Sequence, residues 1–161
     1  LLSSIQFFLT NSLATKKQQE QLQYMSYRDM LTFLFNRNKY IKILDSHQGK
    51  ILENVGTAYI DLNGLKQIND SQGHEAGDAF IQNAARVLSR VFPDKVYRIG
   101  GDEFVIIQSS IEELEFHNRI NRLQEYMKQD QISISIGFLW KASCENLENM
   151  LEGRPPRDLV N

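Results

Sequence analysis

Apolar residues near the start of the chain recur at helical steps. Leu2, Ile5, Leu9 and Leu13 fall three or four apart, and no Gly or Pro interrupts residues 1–28. The stripe thins through Thr15-Lys16-Lys17-Gln18-Gln19-Glu20-Gln21 and resumes at Leu22 and Met25. This spacing predicts one long helix ending near Arg28. It has no obvious partner stripe in the rest of the chain. Two readings follow. The helix packs on its own core, or it is a signalling coiled coil that joins an upstream sensor to what comes after. Polar residues at seam positions would keep such a coil weak and switchable.

Beyond it the period changes repeatedly. Asn36 is suited to cap a second helix that turns Tyr40, Ile41 and Leu44 inward, with Gly49 ending the region. Residues 55–62 form a short β-prone apolar run, a central strand. Asn63-Gly64 marks a turn, residues 65–69 a short helix, and Gly73 and Gly77 frame a loop. Phe80, Ile81, Ala84, Ala85 and Leu88 place a helix over residues 79–89. Two strand-like runs, 96–99 and 104–107, flank Gly100-Gly101-Asp102-Glu103 and read as a hairpin with a charged tip. A helix follows over 111–128, carrying Leu114, Ile120, Leu123 and Met127. Residues 132–136 alternate with period two, a half-buried strand ending at Gly137. The order helix, helix, strand, helix, helix, strand, strand, helix, strand predicts an α+β domain, a sheet covered by helices.

Composition narrows the class. The 161 residues are 42% hydrophobic and 24% charged, ordinary for one soluble domain with an appendage. Lys and Arg number 18 against 20 Asp and Glu, so nothing favours a nucleic-acid polymer as partner. A small anionic ligand needs only local positive groups. Cys144 is the lone cysteine, which excludes an internal disulfide and a zinc-type cysteine cluster and suits a reducing, cytoplasmic setting. The first residue is Leu, and the chain reads as part of something longer. The apolar run 1–9 is too short to span a bilayer and lacks a basic leader, which leaves an upstream membrane anchor open.

The candidate chemistry lies at two places. Asp61 ends an apolar strand, and Asp102 and Glu103 sit at a glycine-rich tip. If the two strands are neighbours, these carboxylates converge. Clustered like charges are costly. A hard cation offsets that cost, and two carboxylates with a backbone carbonyl make a natural half-shell for magnesium, completed by water and substrate phosphates. Gly100 and Gly101 leave bare backbone against which a ligand can lie. Gly64 frees backbone amides to face a phosphate, and Lys66 adds a point charge. Taken singly, Gly-Gly-Asp-Glu can be a plain turn and Asp61 a strand-end cap. Together and in this order they argue for a site.

Four segments then resemble one family. Arg98-Ile99-Gly100-Gly101-Asp102-Glu103-Phe104 resembles the signature of the GGDEF diguanylate cyclases. Asp29-Met30-Leu31-Thr32-Phe33-Leu34-Phe35-Asn36-Arg37 resembles that family's Asp-x-Leu-Thr-Gly-Leu-x-Asn-Arg motif. Asp61 to Asp70, running on to Gly73-His74-Glu75-Ala76-Gly77-Asp78, is similar to its metal and guanine segment, and Ser135-Ile136-Gly137 to its late strand. The resemblance implies a nucleotidyl-cyclase or polymerase-palm sheet of about five strands surrounded by helices. It divides the chain into a linker helix, 1–28, and a GGDEF domain, 29–161. It implies Mg2+ or Mn2+ held by Asp61, Asp102 and the Leu62 carbonyl. Glu103 would stand beside the reacting hydroxyl, so Asp61, Asp102 and Glu103 would be the catalytic set. Gly64, Leu65 and Lys66 would hold the triphosphate, with Gly100 and Gly101 against the nucleotide. Asn69 and Asp78 would read guanine, and Asp78 could also cap the helix that follows it. GTP is the implied substrate, a homodimer the implied catalyst, and a sensor the implied upstream partner. A catalytically silent GTP-binding module is the alternative.

The chain departs from that pattern at three places. Phe33 stands where the motif has Gly, either beside the nucleotide or packed outward. Val91 and Asp94 occupy the Arg-x-x-Asp positions of the family's product-inhibition site, with Arg90 one place off, which puts feedback inhibition in doubt. After Gly137 the family's final Ala-Asp-x-Ala-Met-Tyr-x-Ala-Lys helix is not recognisable, and Arg154 is a candidate stand-in for its phosphate contacts. Plainer roles suffice elsewhere: His74 as a loop hydrogen-bonder, Trp140 in packing, Cys144 unactivated, Lys16-Lys17 on a solvated face.

Overall fold

The computed structural model of the chain describes residues 1–152. Its elements are α1 (Leu2–Tyr27), α2 (Arg37–Ser46), β1 (Leu52–Leu62), α3 (Leu65–Gln72), α4 (His74–Val91), β2 (Val96–Arg98), β3 (Glu103–Gln108), α5 (Glu113–Gln129), β4 (Ile134–Cys144) and α6 (Leu147–Glu152). The order matches the hydrophobic pattern, with α6 added. Four strands form one antiparallel sheet in the order β2-β3-β1-β4, rather than about five, among the described residues.

The central position of β1 follows from its composition. Val55, Ala58, Ile60 and Leu62 are buried, and a strand covered on both faces reads as a nearly unbroken apolar run. On one face Ala58, Ile60, Phe104 and Ile106 meet Ile81, Ala84 and Leu88 of α4 and Phe116, Ile120 and Leu123 of α5. Gly56 is required there: a methyl group at that position would overlap the Phe116 ring. On the other face Val55, Tyr97, Val105 and Ile107 meet Tyr40, Ile43 and Leu44 of α2 and Leu147, Met150 and Leu151 of α6.

Several boundaries differ from expectation, each for a local reason. No residue of α1 is buried, and Leu2 at 85% and Phe8 at 73% stand open to solvent, so the helix does not pack on this domain's core. Asn36 caps α2 by accepting from the Lys39 amide at 3.0 Å, but Ile43 rather than Ile41 turns inward. Leu114 is exposed at 72%, and Phe116 takes the core place in α5. Gly77 frames no loop. It lies buried inside α4, which starts five residues earlier than its apolar stripe suggests. β4 runs through Gly137 to Cys144, because its outer half, Phe138-Leu139-Trp140, pairs with β1 without showing a period of two. No helix among the described residues is long and apolar enough to cross a membrane. Arg154 lies outside the described residues.

Candidate functional site

The register of the central ladder decides where the acidic residues meet. β1 and β3 pair with Asp61 opposite Glu103, and on its other side Asp61 faces Ser135 of β4. One residue on, the Leu62 amide donates to the Asp102 carbonyl at 2.9 Å. Asp61, Leu62, Asp102 and Glu103 therefore gather at one end of the sheet. Carboxylates directly opposite one another on a ladder destabilise it, by up to about 1 kcal/mol for a cross-strand pair. With Asp102 beside that pair at the same sheet end, the acidic cluster as a whole is one that a bound cation would ease. No group of three or more His, Cys, Asp or Glu side chains among the described residues is placed to hold a metal ion by itself. Two carboxylates and a carbonyl are a partial shell, as suits magnesium that keeps water and phosphate ligands.

The hairpin tip divides its two glycines by task. The Ile99 and Gly100 amides both donate to the Glu103 carbonyl, at 3.0 and 3.4 Å, which closes the turn. A Cβ on Gly100 would come within 2.5 Å of the Glu103 carboxylate, so the space at Gly100 is taken by Glu103 and not left for a ligand. A Cβ on Gly101 would meet nothing within 4 Å, which leaves that backbone open. Neither glycine has a positive φ, so the absent side chain and not backbone handedness is what the turn uses.

Past Leu62 the chain turns into α3. Gly64 adopts the left-handed backbone, φ 86°, and starts the helix with no side-chain cap. Its first-turn amides point out of the helix end, where the dipole favours an anion. Leu65 is the first helical residue, and the exposed Lys66 follows. At the other end of the helix, Asn69 lies against α4. A Cβ on Gly77 would overlap the Asn69 side-chain oxygen, so the glycine admits that amide onto α4 one residue before Asp78. Asp78 is exposed and lies inside α4, whose N-cap is Gly73. It is not the helix cap. His74, first residue of α4, is exposed, and Trp140 donates its indole N–H to the Ile111 carbonyl at 2.8 Å.

One cluster was not assigned a role from the sequence. Arg98 donates to the Gly101 carbonyl at 2.9 Å and to the Asp29 carboxylate at 3.0 Å. Asp29 also accepts from the Thr32 amide and hydroxyl at 2.9 and 2.7 Å. Burial by itself would raise the Asp29 pKa, but hydrogen bonds from Thr32 and Arg98 and the Arg98 charge outweigh it and hold the carboxyl below its ordinary 3.8. The signal was the Asp-x-x-Thr spacing, which lets one carboxylate close its own loop and still reach an arginine. The Tyr97 phenol, on the sheet face beneath α2, is pushed up to about 12 by burial, against the opposing charge of Arg28.

A family model for the diguanylate cyclase GGDEF domain matches residues 26–151. The chain belongs to the GGDEF family. Signaling protein YkoW of Bacillus subtilis (strain 168) is 41% identical over 100 residues, covering 56% of this chain and 12% of that protein. Probable diguanylate cyclase DgcE of Escherichia coli (strain K12) is 35% identical over 98 residues, 58% of this chain and 9% of that protein. Cyclic di-GMP phosphodiesterase PdeR of the same organism is 35% identical over 98 residues, 59% of this chain and 15% of that protein. The matches thus span only 9% to 15% of these relatives' lengths. The fold is that of the coiled coil and GGDEF domain of DgcB from Caulobacter crescentus, with a TM-score of 0.74 and 23% identity over 92% of this chain and 89% of that one.

Within this GGDEF domain the three departures acquire physical form. Phe33 sits in the left-handed region, φ 60°, which explains a glycine at that place in the motif, and the residue is 60% exposed. Val91 is buried at the end of α4, Asp94 pairs with Arg28 at 3.7 Å, and Arg90 lies over the Tyr126 ring at 4.2 Å. In place of the final motif, α6 buries Leu147, Met150 and Leu151 against the sheet.

Proposed function

We propose that this GGDEF domain is a diguanylate cyclase that condenses two GTP molecules into cyclic di-GMP, with release of pyrophosphate. The observation that carries the reading is the facing pair Asp61 and Glu103, with Asp102 adjacent at the same end of the sheet. Asp61, Asp102 and the Leu62 carbonyl would hold Mg2+ or Mn2+. A divalent cation held there would lower the pKa of the attacking hydroxyl and neutralise charge on the phosphate. Gly64, Leu65 and Lys66 hold the triphosphate by amides and charge, and the open backbone at Gly101 accommodates the nucleotide. Asn69 and Asp78 read guanine. Asp78 accepts from N1–H and the exocyclic amine, whereas adenine has no N1 donor and would leave the carboxylate unpaired.

The 3′-oxygen of one GTP forms a bond to the α-phosphorus of the other, and the α–β phosphate linkage breaks. Glu103 would accept the hydroxyl proton as base, or assist electrostatically while that proton leaves to water. The step occurs twice to close the ring. One domain holds one GTP, so two copies must face each other. The exposed Leu2, Ile5, Leu9 and Leu13 of α1 offer a surface on which two copies pair and an upstream sensor can act. A GTP-dependent output would suit a cytoplasmic domain.

A second reading has one observation in its favour. Relatives named cyclic di-GMP phosphodiesterases, PdeR and NbdA, match the same domain, so a GGDEF module that binds GTP without turnover is its competitor. Incubation with GTP and magnesium at several protein concentrations, with products resolved chromatographically, separates the two. Cyclic di-GMP with a steep concentration dependence supports the cyclase. GTP binding without product supports the silent module. Asp102→Ala removes a half-buried candidate metal ligand from the hairpin tip and is expected to abolish turnover while leaving the fold and melting transition intact. Full activity in that variant would remove the metal site from the proposal.

A further inference from the structure

Asn63 was read from the sequence only as half of a turn signal. Its place in the structure gives it more to do. The β1–β4 ladder ends with Leu62 opposite Ile134, yet the Asn63 amide continues it by donating to the Ser133 carbonyl at 2.9 Å. The side chain then spans two serines. Its amide nitrogen donates to the Ser133 hydroxyl at 3.0 Å, and its oxygen accepts from the Ser135 hydroxyl at 3.1 Å. Serines two apart present their hydroxyls to one side of an extended chain. One residue therefore fastens the end of β1 to β4 through three bonds, one from its backbone and two from its side chain.

Peptide geometry makes that fastening consequential. In a planar trans peptide the carbonyl and the following N–H point in opposite directions. The Asn63 N–H points to β4, so the Leu62 carbonyl points the other way, toward β3. There the Leu62 amide already bonds the Asp102 carbonyl. Asn63 thus sets the direction of the Leu62 carbonyl, on the side of Asp102 and Glu103. The next residue is the left-handed Gly64, which opens α3. A glycine in that conformation is free to swing unless its neighbours are held. Asn63 lies between the carbonyl meant for a cation and the amides meant for phosphate.

We propose that Asn63, latched by Ser133 and Ser135, is a positioning residue that preorganises the Leu62 carbonyl and the Gly64–Leu65 amides for metal-bound GTP. This deepens the cyclase reading and rests on it. Neither serine nor Asn63 touches the nucleotide in this account. Their effect is to spare the turn from being ordered at the moment of binding.

The test is calorimetric titration of magnesium-GTP into wild type, Asn63→Ala, Ser135→Ala, Ser135→Thr and the Asn63→Ala/Ser135→Ala double variant, with a ligand-free melt of each. Asn63→Ala and Ser135→Ala are expected to weaken binding about tenfold, near 1.4 kcal/mol. The double variant is expected to lose no more than Asn63→Ala alone, since both break one latch. Ser135→Thr keeps the hydroxyl and should bind as wild type. Ligand-free melts should move little, because the two side-chain bonds that these substitutions break are solvent-exposed and the backbone bond to Ser133 remains. Wild-type affinity in Asn63→Ala overturns the latch while leaving the cyclase reading intact. Additive losses, or losses that track melting temperature, also overturn it by assigning the residues a merely structural part. A wild-type domain that binds no GTP overturns the functional reading, and the latch with it.

Discussion

Gly77→Ala isolates the proposed guanine end of the site from the fold. An alanine in a helix interior is ordinarily favoured over glycine by about 1 kcal/mol. Here the new methyl would overlap the Asn69 side-chain oxygen, stand 2.9 Å from its Cγ and 3.3 Å from a Leu65 methyl carbon. The obstacle is the tip of a short side chain and not backbone, so Asn69 can rotate away at about 0.5–1.5 kcal/mol. The two effects nearly cancel, and the melting transition should stay within about 1 kcal/mol of wild type. Binding should not stay. A displaced Asn69 leaves a polar edge of guanine unmatched, which costs about 1–3 kcal/mol, or roughly 5- to 150-fold in affinity. Calorimetry with magnesium-GTP, run beside thermal melts and an Asn69→Ala control, reads both quantities. Asn69→Ala should match Gly77→Ala, and combining them should add little. Unchanged GTP affinity in Gly77→Ala, with the fold intact, would refute the placement of Asn69 at the base. A stability loss above about 3 kcal/mol would show that Asn69 cannot move and that the packing argument is wrong.

Two further substitutions test the loop that precedes α2. Phe33→Gly should stabilise the domain by about 0.5–1 kcal/mol in chemical denaturation, since a left-handed non-glycine residue costs about 1–2 kcal/mol and glycine's added freedom in the unfolded chain returns about 0.4–1. The ring is 60% exposed, so little burial is lost; a destabilised variant would contradict the strain. Asp29→Asn should destabilise at neutral pH, and the gap to wild type should close in acid. The folded carboxyl titrates below its ordinary 3.8, so its contribution is present above about pH 4 and fades as pH falls through the folded value. A gap that persists unchanged at pH 2 would mean the ion pair is not its source.

The succession of elements was legible because each apolar run carried its own period. What failed did so where glycine or exposure was ambiguous. Gly77 reads as a loop marker in one dimension, and only packing reveals that its missing side chain admits Asn69. Ile41 and Leu114 fit helical stripes by spacing, yet the sheet reaches Ile43 and Phe116 instead. Strand β4 was cut short at Gly137 because an edge strand with both faces half open shows no alternation. The acidic site was legible as residue types in order, but its register was not. That Glu103 rather than a ligand fills the space at Gly100 depends on a side-chain direction no spacing encodes.

The bond from Arg98 to Asp29 joins positions 69 residues apart, and it bears on where the domain can be cut. A chain trimmed to begin at Arg37 would keep every strand and every buried helix. It would lose Asp29, and with it the outer brace on the Gly101 carbonyl. Trimming at Asp29 would still sever the Asn36 bonds to the Tyr27 and Ser26 carbonyls, at 3.0 and 2.9 Å, and the Arg28 pairing with Asp94. The last turn of the exposed helix thus ties down the loop whose Asp29 holds Arg98 against the Gly101 carbonyl. A shortened chain that folds and melts normally but turns over poorly would have been cut through its keystone.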